Sequence, residues 1–71
     1  LQWNLIRLRK ERGLSQKDMA DFLDITPETY GAKERGKQPF MLDEMFKIKY
    51  LFNRTMDEIF LPRNFGDSEV S

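Results

Sequence analysis

The chain has neither histidine nor cysteine, which removes the commonest general bases, the thiol nucleophile and the usual nitrogen and sulfur metal ligands. Two acidic pairs remain, Asp43-Glu44 and Asp57-Glu58, and paired carboxylates can share acid and base work. Neighbouring residues on a helix, however, point in different directions. Acids at a helix start complement the positive end of its dipole, and both pairs suit that use. No catalytic residue, metal site or cofactor site is assigned. The chain reads as a non-enzyme.

The elements that would position any binding group are short helices. Leu1, Leu5, Leu8 and Arg12 recur at helical spacing, so the first dozen residues predict an amphipathic helix closed near Gly13, which suits a left-handed helix end. Ser15 is a candidate N-cap for a second helix over residues 16–23, with Met19, Ala20 and Leu23 inward and Phe22 off that face. The run Asp24-Ile25-Thr26-Pro27 predicts a tight turn leading at once into a third helix, capped by Thr26 with Pro27 at its first position. That helix should run to about residue 35 and stop at Gly36, and Lys37-Gln38-Pro39 should be loop. A fourth helix is expected over residues 42–52, with Met45, Ile48, Leu51 and Phe52 inward, ending at Asn53. Thr55-Met56-Asp57-Glu58 is a capping box for a short fifth helix that Pro62 would end. Phe40, Phe46, Phe52 and Phe60 are expected in the core. No strand signal and no repeat is present. The expectation is an all-α, compact five-helix domain over residues 1–62, with a polar tail over residues 63–71.

Two short helices joined by about four residues cannot lie as a long hairpin, so the second and third should cross steeply, as in a helix-turn-helix unit. Ala20 would stand where the backbones approach, and Leu23 and Ile25 would pack beside the turn. The full set of residues is similar to a known family: Leu5-x-x-Leu8-Arg9, Gly13-Leu14-Ser15-Gln16, Met19-Ala20, Leu23, Ile25, Thr29-Tyr30, Glu34-Arg35-Gly36-Lys37 and Asp57-Glu58-Ile59-Phe60. It resembles the phage repressor and Cro type (xenobiotic-response-element type) of helix-turn-helix transcriptional regulators, over residues 4–61. The lambda-repressor-like fold is what that resemblance implies. Asp24 stands where the family's turn usually has glycine, at a cost of about 1–2 kcal/mol if left-handed. Lys33 stands at a usually apolar position, so a buried stem with its amine reaching solvent is expected. Arg54 replaces a β-branched apolar residue.

The resemblance also implies roles. Gln16, with Lys17 beside it, would grip a phosphate at the N-terminus of the second helix. The third helix would enter the major groove, presenting Pro27, Glu28, Thr29, Ala32 and Lys33. Glu28 could accept from cytosine N4, and Ala32 or the Thr29 methyl could meet a thymine methyl. Lys37 and Gln38 would meet phosphates after that helix. Arg9 and Glu34 match a structural ion pair. The implied partner is double-stranded DNA, as a palindromic operator bound by a homodimer, and the resemblance also fits an antitoxin with a toxin as protein partner.

Composition bounds these readings. A chain of 71 residues has room for one small core. Its formal net charge is zero, with eight Lys or Arg against six acids over residues 1–38 and four against six over residues 39–71. That balance, with Glu28 and no Arg or Gln on the reading face, leaves an alternative: a protein-interaction module on the same fold without DNA binding. No apolar run approaches the roughly 20 residues of a membrane span, and the start lacks a signal-peptide pattern. Cytoplasmic localisation is expected. Self-association is expected through residues 60–65, where Phe60, Leu61 and Phe65 cluster around Pro62.

Overall fold

The computed structural model describes residues 1–60, and the expectations for Leu61, Pro62, Phe65 and the tail lie outside them. Five α-helices follow in chain order: α1 Trp3–Glu11, α2 Gln16–Leu23, α3 Pro27–Glu34, α4 Leu42–Phe52 and α5 Met56–Ile59. No strand occurs among the described residues, and none of these helices is long and apolar enough to cross a membrane.

Each boundary has a local cause. Gly13 takes a φ of 70° after α1, where its missing side chain removes the left-handed penalty. Ser15 Oγ accepts from the Asp18 N–H at 2.9 Å, and Asp18 Oδ2 accepts from the Ser15 N–H at 2.9 Å. This reciprocal capping satisfies two otherwise orphan donors. Thr26 caps α3 by accepting from the Thr29 N–H at 3.1 Å, and Pro27 follows where no N–H is needed. Thr55 and Glu58 cap α5 in the same reciprocal way. Two non-glycine residues carry positive φ, Asp24 at 62° and Asn53 at 56°, ending α2 and α4.

The core joins α1, α2 and α3 to the second half of the chain. Leu5, Leu8, Met19, Ala20, Leu23, Tyr30, Ile48, Phe52, Ile59 and Phe60 are buried together, each large side chain contributing about 1.5–3 kcal/mol. Phe40 bridges two rings edge-on, at 6.0 Å from Tyr30 and 5.2 Å from Phe60. Arg12 donates to the carbonyls of Leu51 and Phe52 at 3.2 and 3.3 Å and lies 5.4 Å over the Phe52 ring. A cation there meets the negative end of α4.

Several expectations are corrected. Phe46 is exposed rather than core, because Ile48 and Phe52 claim the opposite face of α4. Phe60 is buried against Phe40, so it does not belong to a free self-association surface. Leu1 is exposed and precedes α1. Phe22 is exposed, as its position off the α2 core face dictates.

Candidate nucleic-acid interface

The turn between α2 and α3 is set by its backbone. Left-handed Asp24 reverses the chain, and the Ile25 N–H donates to the Ala20 carbonyl at 3.0 Å. Ala20 is fully buried where the two helices meet, and a larger side chain would push them apart. α3 therefore leaves the turn with Tyr30, Lys33 and Glu34 buried and with Pro27 and Glu28 exposed. Thr29 and Ala32 are half-buried between these faces.

Glu34 fixes that orientation. Its carboxylate accepts from Arg9 Nε at 2.8 Å and Arg9 Nη2 at 3.2 Å, from Gln16 Nε2 at 2.9 Å and from the Tyr30 hydroxyl at 2.8 Å. Arg9 Nη1 continues to the Leu14 carbonyl at 2.9 Å, and the Glu34 carbonyl accepts from the Gln2 N–H at 2.9 Å. One carboxylate thus ties α1, α2 and α3 together. Burial pushes the Glu34 carboxyl up, but hydrogen bonds from Arg9, Gln16 and Tyr30, with the Arg9 charge, hold it below the usual carboxylate range. The bond to Glu34 raises Arg9 in turn, while burial and then the Glu34 charge push the Tyr30 hydroxyl up. No buried side-chain polar atom among the described residues lacks a partner.

The position of Gln16 follows from this network. Only the amide nitrogen can donate to a carboxylate, so Glu34 fixes which end of the amide points inward. The second Nε2 hydrogen and the first backbone N–H groups of α2 remain for an anion. Lys17 is exposed and pairs with Asp21 at 2.8 Å along the same helix, a solvent-exposed pair of small strength. Lys37 and Gln38 are exposed, and their N–H groups donate to the Ala32 carbonyl at 2.9 and 3.4 Å. The loop after α3 is thereby folded onto the helix that carries Glu28 and Ala32.

Lys33 departs from expectation. Its amine does not reach solvent: Nζ donates to Glu44 Oε1 at 2.6 Å, with both side chains about 8% exposed. The chain therefore sets a buried ion pair where a solvent-reaching amine was expected, because α4 supplies a carboxylate opposite it. Glu44 Oε1 also accepts from the Met41 N–H at 2.8 Å. A buried, paired amine has no access to DNA, so Lys33 leaves the candidate set.

Arg35 enters that set. A side chain added at Gly31 would lie 3.1 Å from Arg35 Nη1 and 3.5 Å from Gln16 Oε1, so both side chains close over the one residue of α3 that has none. Arg35 and Lys37 form no ion pair among the described residues. The signal was present in the sequence, since Glu28, Ala32 and Arg35 recur at helical spacing, but Gly31 gains its meaning only with α2 packed beside it.

The helix-turn-helix family matches residues 5–59 of the chain. No curated relative matches it.

Proposed function

The chain belongs to the helix-turn-helix family of Cro and C1 type, a non-enzymatic DNA-binding family, and from that premise we propose that it is a sequence-specific, repressor-like transcriptional regulator. In this reading α3 lies in the major groove of duplex DNA, and a homodimer binds a palindromic operator in the cytoplasm. The observation that carries it is one continuous face: Glu28, Thr29 and Ala32 of α3, flanked by Gln16 and the unpaired Arg35 and Lys37. Cations and a helix N-terminus suit phosphates, which position a protein on DNA; small and acidic side chains suit base edges, which specify the sequence. The zero net charge is unevenly spread, with eight Lys or Arg against six acids over residues 1–38, the part of the chain that carries this face.

The test is a binding titration on the duplex recovered from a random-sequence selection, and on single-mismatch versions of it. Glu28→Ala should remove the penalty at one base pair, worth about 1–3 kcal/mol, while other mismatch penalties stay. A wild-type protein that binds no duplex better than random DNA at low salt overturns the regulator reading.

A further inference from the structure

Lys33 and Glu34 are neighbours on α3, and both are buried ions. At about 100° per residue they flank the buried Tyr30, one on each side, while Glu28 and Ala32 stand on the opposite face of the helix. Glu34 reaches α1 and α2 through Arg9 and Gln16. Lys33 reaches the other way, to Glu44 in the first turn of α4. Glu44 is itself held in place, because the same Oε1 accepts from the Met41 N–H at 2.8 Å. An apolar side chain at position 33 would fill this space with a contact that has no preferred direction. An ammonium–carboxylate hydrogen bond at 2.6 Å constrains both distance and angle. Such a pair adds little net stability, because both charges lose their hydration. What it adds here is geometry.

We propose that Lys33 and Glu44 are a positioning pair for sequence recognition: with Glu34, they fix the roll of α3 about its own axis and so the aim of Glu28, Thr29 and Ala32. The proposal rests on the regulator reading for what those three residues meet. Polar bonds on one side of a helix leave it free to rock about that line. A second directional bond, about 100° further round the axis, removes that freedom. Side-chain atoms lie about 5–6 Å from a helix axis, so a roll of about 15° moves them by about 1.4 Å. A binding constellation holds its selectivity only within about 0.5 Å of its geometry. Base-edge contacts therefore need the second bond, whereas phosphate grips from the long side chains of Arg35 and Lys37 can follow a small displacement. Thr29 stands one turn before Lys33 on nearly the same side of α3, so contacts at that edge depend on the pair most. Lys33 touches no DNA and acts through α3 alone.

The test removes both ions together in the full chain, as Lys33→Met with Glu44→Leu, because either change alone leaves a buried charge without its partner. Apolar residues replace such pairs without loss of stability, so this variant should keep the helical signal and cooperative melt of wild type. Lys33→Met with Glu44→Gln retains an acceptor for the Met41 N–H and separates loss of the pair from loss of the α4 cap. Titrations on the selected duplex and its single-mismatch versions are run where all three proteins are folded. In both variants the mismatch penalties at base pairs read by α3 should shrink about fivefold. The salt slope should not change, because no phosphate contact is lost. A pair that merely stabilised the fold would leave the penalties intact, and that result overturns the proposal. A slope lower by about one unit also overturns it, since Lys33 would then be meeting a phosphate. Amide hydrogen exchange supplies a reading without DNA. The Gly36 and Lys37 N–H groups bond to the Lys33 and Ala32 carbonyls, and both should exchange about tenfold faster in the variants while α2 does not change. Equal exchange overturns the proposal. A wild type that binds no duplex selectively sinks the regulator reading, while faster exchange would still show the pair's hold on α3.

Discussion

At the scale of single residues, the molecule depends most on Glu34. Its side chain and that of Arg9 are 3% and 9% exposed, which decides the magnitude. An exposed pair contributes about 0–1 kcal/mol, whereas breaking a buried one leaves a charge without compensation and costs about 3–5 kcal/mol. Arg9→Ala should lower stability by that amount in urea unfolding, and an unchanged midpoint would show the network to be superficial. Acid adds a second reading. The native Glu34 carboxyl lies below its ordinary value of 4.5. Its contribution is thus complete above about pH 4.5 and is lost as pH falls through the native value. The stability gap between wild type and Glu34→Gln should accordingly narrow below that pH. Asp18 and Glu58, held down chiefly by backbone hydrogen bonds at their caps, lose stability in the same direction, but they do so equally in both proteins.

At the scale of elements, the turn between α2 and α3 holds strain in a known place. Asp24 adopts φ 62° and ψ 43°, a region glycine enters without steric cost. Asp24→Gly should raise stability by about 0.5–1 kcal/mol, reduced from the full left-handed penalty because Asp tolerates it better than most residues and glycine's unfolded chain is freer. A thermal melt checks this: a lower midpoint would mean that the Asp24 side chain stabilises the turn by more than its backbone strain costs. The turn and the caps of α2, α3 and α5 were legible in the sequence, because each is a contact between residues three or four apart; the start of α1 and the Met41–Glu44 cap of α4 were not. The inward face of α4 was legible as well, in Met45, Ile48, Leu51 and Phe52, but the place of Phe46 was not. Apolar residues of α4 lie on both sides, with Ile48 and Phe52 on one and Phe46 and Tyr50 on the other. Periodicity alone cannot tell that a second apolar face stays exposed.

At the scale of the whole molecule, the proposed interface mixes charged and uncharged grips, and salt separates them. Each cation that neutralises a phosphate releases counterions and steepens the dependence of log K on log salt by about 0.9. Arg35→Ala and Lys37→Ala should each lower the slope by about one unit and weaken all sequences alike. Gln16→Ala is a neutral change and should cost affinity at an unchanged slope. Anisotropy titrations at three or more salt concentrations measure both quantities. A slope indifferent to Arg35→Ala would remove it from the phosphate set.

The sequence by itself determined the helices, the caps of α2, α3 and α5, the tight turn and the family, since those rest on local spacing and on an ordered set of residue types. It also marked Arg9 and Glu34 as partners through the resemblance. Only the tertiary structure decided what else Glu34 holds, since Arg9 and Gln16 stand 25 and 18 residues from it. The same is true of Lys33, whose amine is turned inward by Glu44 eleven residues away, and of Arg35, whose side chain, like that of Gln16, lies beside Gly31. Spacing along one helix says which residues share a face. What that face meets depends on where another helix is packed, and packing is a property of the whole core.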